Sequence, residues 1–249
     1  MEKIIDLFID FDDTLYDTRG NAIIALSEIY EWAHLSDYFD DPNTFYDAYW
    51  KANIELWGLY SKGEIERSYL MVERFRRPLA IGKGNPRLRS AEFLSLPYTK
   101  EEEDYCLEIS DKFLEYCSVK PGVVDGAHEL MDYLKSRGYR LHICSNGFHE
   151  VQYKKLTASR LLDYFDTIIL SEAAGANKPS KQFFDYALAK TGAKRETTLM
   201  IGDNYNTDIL GAQNAGIRTM LFNRWDASFV PPTPVDYCVS NLRDIMKIL

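Results

Sequence analysis

The chain has 249 residues, 46% hydrophobic and 27% charged, with a formal net charge of -9. That length holds one large domain or two modest ones, with enough apolar residues for a sizeable core. The acidic balance excludes a binder of nucleic-acid polymers, which needs a basic face, but not a protein that holds a small phosphorylated molecule in a local pocket.

The first element is a run from Ile4 to Ile9, five of whose six residues are large and apolar. It reads as a buried strand. The run ends in Asp10-Phe11-Asp12-Asp13-Thr14. Crowded carboxylates repel one another unless a cation or a proton sits between them, and ligands of open α/β sheets bind at the carboxyl ends of strands. Asp10 and Asp12 are therefore candidate site residues.

Helical periodicity follows, with Ala22, Ile23, Leu26, Ile29, Tyr30 and Ala33 on one face. Pro42 and Asn43 open a second helix to about Tyr60, and a third runs from Glu64 towards Leu79. Thr99 and Glu102 have capping-box spacing for a fourth, which ends near Cys117. After Pro121-Gly122 strand and helix signals alternate. Helices are expected over Val123 to Arg137, Phe148 to Leu162, Pro179 to Thr191 and Thr207 to Ala215. Strands are expected over Tyr139 to Cys144, Thr167 to Leu170, Thr197 to Ile201 and Arg218 to Phe222. A weaker strand covers Asp236 to Val239, before a helix from Leu242 to Ile248. Alternation predicts an α/β fold, a parallel sheet with helices on both faces. The core is expected over residues 1–17 and 119–249, with an inserted all-helical cap over 18–118.

Cys106, Cys117, Cys144 and Cys238 show neither paired nor zinc-like spacing. Glu2, Lys3 and Asp6 leave no signal-peptide apolar region, and no apolar run approaches membrane-spanning length. A cytoplasmic protein without a membrane partner is expected.

Three later stretches share the edge where the first strand ends. Strand residues Leu141 to Cys144 lead into Ser145-Asn146-Gly147. Leu199 to Ile201 lead into Gly202-Asp203, with Asp208 shortly after. Lys178-Pro179 lies at a helix start. Each alone is an ordinary turn or helix start; the signal is the order and placement of all four. Clustered aspartates without nearby His or Cys suit a hard cation such as Mg²⁺. Ser145 suits an anion's oxygens, and Lys178 supplies the positive charge that a phosphate among carboxylates requires.

In these stretches the sequence resembles the haloacid dehalogenase-like (HAD) hydrolase superfamily, whose four motifs are matched at Asp10-x-Asp12-x-Thr14, Ser145, Lys178-Pro179 and Gly202-Asp203 with Asp208. The resemblance implies a Rossmann-like core and a Mg²⁺-dependent phosphatase. It implies Asp10 as nucleophile and Asp12 as acid and base. Mg²⁺ would be held by Asp10, the Asp12 carbonyl and Asp203, with Asp208 as support. Thr14, Ser145, Asn146 and Lys178 would contact substrate. Dehalogenases of the superfamily usually lack the second aspartate, so Asp12 favours phosphoryl transfer; phosphomutases remain an alternative.

Ser145-Asn146-Gly147-Phe148-His149-Glu150-Val151-Gln152 and Ser171-Glu172-x-x-Gly175-x-x-Lys178-Pro179 resemble the pyrimidine 5′-nucleotidase branch. That implies a nucleoside monophosphate as substrate. A sugar-phosphate or phosphoglycolate-type phosphatase and a non-catalytic phosphate-binding regulator are the alternatives. Among Tyr49, Trp50, Trp57 and Tyr60, one ring is expected to stack on a base. Arg67, Arg74, Arg76, Arg77, Arg87 and Arg89 make this region locally basic, by default as a solvated face.

Overall fold

The computed structural model describes residues 2–249. The chain divides into two compact units, one of residues up to Arg19 together with Lys120–Leu249, the other Gly20–Val119.

The first unit is built on six parallel strands. These are β1 (Asp6–Ile9), β2 (Arg140–Ser145), β3 (Thr167–Leu170), β4 (Thr198–Gly202), β5 (Arg218–Phe222) and β6 (Tyr237–Val239), in the spatial order β3-β2-β1-β4-β5-β6. β1 lies inside the sheet, with Leu7 paired to Leu141 on one side and Leu199 on the other. Successive strand residues point to opposite faces, and both faces are buried. Leu7, Ile9, Leu141, Ile143, Leu199 and Ile201 pack with Leu130 and Leu134 of α5 (Ala127–Ser136) and Ile245 of α10 (Leu242–Ile245). Phe8, Cys144 and Met200 pack with Phe183, Phe184 and Ala187 of α8 (Lys181–Thr191) and Ala212 of α9 (Leu210–Asn214). A sheet covered on both faces needs continuous apolar strands. Asp6 breaks that rule in β1; it is fully buried, and its carboxylate is paired by Arg140 at 2.7 Å and His142 at 3.2 Å.

Three local details differ from the sequence expectation. α5 starts at Ala127 rather than Val123, because Val123 is held in an antiparallel bridge to Tyr16 and Gly126 turns the chain at φ 86°. A four-residue helix, α7 (Ser171–Ala174), directly follows β3. Tyr205–Ile209 is a π-helical turn ahead of α9. The remaining helix of this unit, α6 (His149–Ala158), follows β2.

The second unit contains most of α1 (Thr18–Trp32), then α2 (Pro42–Ser61), α3 (Arg67–Leu79) and α4 (Lys100–Ser118). Asp41 caps α2 by accepting from the Asn43 amide. The predicted capping box opens α4: the Glu102 amide donates to Thr99 and the Thr99 amide to Glu102. Leu26, Ile29, Phe45, Val72, Phe75, Ile109 and Phe113 form the core. Tyr49 belongs to it, 2% exposed, with its ring centroid 5.2 Å from that of Phe75 and 5.3 Å from that of Phe113. The expectation of a base-stacking ring therefore does not apply to Tyr49. Trp57 and Tyr60 are half-buried and meet edge to face at 5.5 Å.

The arginines here are not one solvated face. Arg76 is buried against Glu73 at 2.7 Å, Arg89 pairs with Glu102 at 2.6 Å, and Arg77 and Arg87 pair with Glu55 and Glu108. Glu55, Glu102 and Glu108 neutralise charges that the sequence order alone leaves unmatched.

Candidate active site

β1 delivers the first acid directly. The Asp10 amide still donates to the Ile201 carbonyl, so the chain holds its place beside β4 one residue past the strand. The chain then folds back tightly. The amides of Leu15 and Tyr16 both donate to the Phe11 carbonyl, with Asp13 at φ 59°, a conformation Asp adopts more readily than most residues. The turn points Thr14 inward, where its hydroxyl lies 3.3 Å from both an Asp10 and an Asp203 oxygen and accepts from the Asp203 amide.

Lys178 is 2% exposed, and its ammonium donates to Asp10 Oδ1 at 2.6 Å, Asp208 Oδ1 at 2.7 Å and the Cys144 carbonyl at 2.7 Å. An ammonium has three protons, so all are engaged. Burial works against the charge, but the two carboxylates raise the Lys178 pKa above its ordinary value. Asn146 fixes the backbone of Lys178 from both sides: its Oδ1 accepts from the Lys178 amide and its Nδ2 donates to the Lys178 carbonyl. Asn146, expected at the substrate, is thus seen here positioning the lysine.

Carboxylate oxygens of Asp10, Asp203 and Asp208 lie within 4.8 Å of one another. Burial pushes the Asp10 carboxyl up to about 7 against the pull of Lys178. Burial, together with Asp10 and Asp208, raises Asp203 well above the usual range. One ammonium does not balance three carboxylates. Unbalanced negative charge and a cluster of hard oxygen donors fit a divalent cation such as Mg²⁺. Asp208 is placed by Gly202, where a Cβ would stand 2.3 Å from Asp208 Oδ2.

Asp12 points elsewhere. Its carboxylate accepts from Thr18 Oγ1 at 2.6 Å, Lys155 Nζ at 2.6 Å and Gln152 Nε2. Burial raises this carboxyl, but Lys155, Thr18 and Gln152 outweigh it and leave the pKa below the usual value. Ser145 Oγ accepts from the Gly147 amide and Gln152 Nε2. A hydroxyl that accepts twice keeps one proton to give, so Ser145 is set up to donate to an anion. Gln152 reaches both groups because residue 147 is glycine; a Cβ there would overlap the amide. Lys155 and Thr18 were not legible as site residues in the sequence, and Gln152 entered only within a longer resemblance.

A parallel sheet whose inner strands carry Asp10, Asp12 and Asp203 just past their carboxyl ends, with a lysine buried between two acids, defines a Rossmann-like α/β hydrolase. The family model for haloacid dehalogenase-like hydrolase matches residues 7–216, and the chain belongs to that family. It is 31% identical to the glyceraldehyde 3-phosphate phosphatase of Methanothermobacter thermautotrophicus, over 87% of this chain and 84% of that protein. It is 30% identical to the pyrimidine 5′-nucleotidase YjjG of Escherichia coli, over 98% of this chain and 96% of that one. The solved HAD-hydrolase YfnB of Bacillus subtilis, bound to magnesium, superposes with a TM-score of 0.81 at 26% identity, covering 100% of this chain and 99% of that one. Among the described residues no helix is long and apolar enough to cross a membrane.

Proposed function

We propose that the chain is a magnesium-dependent phosphomonoesterase working through a phosphorylated Asp10, with nucleoside monophosphates as its substrate class. The observation that carries the chemistry is the division of labour between two aspartates two residues apart. Asp10 is held by Lys178 beside Asp203 and Asp208, whereas Asp12 is held apart by Thr18, Gln152 and Lys155.

Asp10 attacks phosphorus; its oxygen–phosphorus bond forms as the bond to the leaving oxygen breaks, and that oxygen takes a proton from Asp12. Water then attacks the phosphorylated Asp10. The bond from phosphorus to Asp10 breaks, inorganic phosphate forms, and Asp12 takes the water's proton, which serves the next turnover. Ser145 donates to a phosphoryl oxygen, and Lys178 orients Asp10. A Mg²⁺ held by Asp10, the Asp12 carbonyl and Asp203, supported by Asp208, would supply positive charge against the phosphoryl oxygens.

Substrate choice rests on less. The likeness to YjjG spans nearly the whole chain and supports a nucleotide, whereas the likeness to the glyceraldehyde 3-phosphate phosphatase favours a sugar phosphate as second reading. A screen with Mg²⁺ across nucleoside monophosphates, sugar phosphates and phosphoglycolate decides. Preference for nucleotides by at least tenfold in kcat/KM is expected; the best rate on a sugar phosphate overturns the nucleotide assignment and keeps the phosphatase.

Two substitutions separate proton transfer from metal binding. Asp12→Asn keeps the backbone carbonyl and is expected to lower kcat by about 10²–10⁴-fold with little change in the Mg²⁺ concentration needed. Asp203→Ala should first raise that concentration. Normal turnover of Asp12→Asn at saturating Mg²⁺ refutes the proton-transfer role.

If the helical unit recognises the nucleoside, Trp57 and Tyr60 are the aromatic pair to test. Trp57→Leu is expected to raise KM for a nucleotide by about 5–150-fold, the equivalent of about 1–3 kcal/mol for base stacking, and to spare p-nitrophenyl phosphate. Equal losses on both substrates would mark the ring as part of the packing.

A further inference from the structure

We infer that Lys155 and Gln152, one turn apart on α6, are positioning residues that hold Asp12 for proton transfer and tie it to the phosphoryl-binding hydroxyl of Ser145. The inference rests on the proposed phosphatase chemistry and adds to it two residues outside the four motifs.

Lys155 is 7% exposed, although lysines are almost never buried without a partner. Its Nζ lies 2.6 Å from Asp12 Oδ1 and 5.1 Å from the centre of the Tyr16 ring. Tyr16 is itself fixed, because its amide donates to Phe11 and its hydroxyl to the Lys120 carbonyl. The lysine stem thus runs over a rigid ring to one carboxylate oxygen. Gln152 is 1% exposed, and its Nε2 donates to the other oxygen, Asp12 Oδ2, and to Ser145 Oγ at 2.9 Å. With Thr18 on Oδ1, both oxygens are clamped from α1 and α6.

The clamp has two chemical consequences. A proton-transfer carboxylate must meet the leaving oxygen and later the attacking water at one place, and a misplacement of about 1 Å costs about 10²-fold in rate. The shared amide of Gln152 makes that place depend on where Ser145 holds the phosphoryl group. In the hydrolytic half, the water's proton goes to Asp12; in the transfer half, Asp12 gives a proton to the leaving oxygen. Lys155 and Thr18 hold Oδ1 in one place through both halves, and the demand on that placement is greatest when the leaving oxygen is strongly basic and most needs its proton.

The test is a double-mutant cycle read on two esters, uridine 5′-monophosphate with a basic alkyl leaving group and p-nitrophenyl phosphate with a weakly basic one. Lys155→Met keeps the length and the packing on Tyr16. It is expected to lower kcat on the nucleotide by about 10–100-fold, with KM within about threefold and a smaller loss on the aryl ester. Lys155→Arg restores the charge and should recover most of the rate. In an Asp12→Asn background, Lys155→Met should cost nothing further, since its effect runs through Asp12. Gln152→Met gives the same cycle if Lys155→Met does not fold. Losses that add in the double variant, losses equal on both esters, or a loss confined to KM overturn the positioning role. A normal rate for Asp12→Asn alone overturns the proton-transfer chemistry and this inference with it, so the two failures are distinct.

Discussion

Asp10→Asn is expected to lower turnover by roughly 10⁴–10⁶-fold, the scale set by removing a catalytic nucleophile. The substitution keeps size and shape and removes the attacking charge. The fold should survive it, because Lys178 keeps Asp208 at 2.7 Å and the Cys144 carbonyl as partners. The check is kcat on p-nitrophenyl phosphate at saturating Mg²⁺, together with intact-mass detection of phosphorylated protein after acid quench. The wild type should show the phosphorylated species and the variant should not. Activity within about tenfold of wild type would refute a covalent route through Asp10.

Lys178→Met is the second large effect, and it joins stability to catalysis. The wild-type ammonium sits among Asp10 and Asp208, with Asp203 nearby. Breaking a buried pair by removing one partner costs about 3–5 kcal/mol. Here the remaining partners are carboxylates already crowded together, so the loss should be largest in EDTA. Added Mg²⁺ should restore part of it by binding the native state alone. Chemical unfolding in EDTA and in Mg²⁺ reads both terms, and a variant as stable as wild type in EDTA would show that the lysine does not hold the acids. Activity should fall as well, because Asp10 loses the donor that fixes its Oδ1.

The parts of this molecule legible in sequence are those written in consecutive residues. The apolar run before Asp10, the alternation of strands and helices and the Thr99 capping box need only local pattern. The acids gathered at one edge follow from the parallel topology. The clamp on Asp12 was hidden because Lys155 sits on a helix where the default for lysine is solvent, and its partner is 143 positions away. Nothing periodic marks such a pair. The arginines of the helical unit misled for the same reason, since their acids Glu55, Glu102 and Glu108 come from other segments. The start of α5 was displaced by the bridge between Tyr16 and Val123, which are more than a hundred residues apart.

The inner position of β1 has a consequence for synthesis. β1 is the first of these six strands to be made, yet its neighbours are β2 and β4, which end at Ser145 and Gly202. At about 5–20 residues per second, a ribosome needs roughly 10–40 s after Ile9 to add the residues up to Gly202. Until β2 is made both edges of this apolar segment are open, and the edge facing β4 stays open to the end of that time, while the intervening helices can fold from contacts within their own hundred residues. The nascent chain therefore exposes the segment that leads into its nucleophile longer than any other strand of the sheet, and chaperone capture should concentrate there.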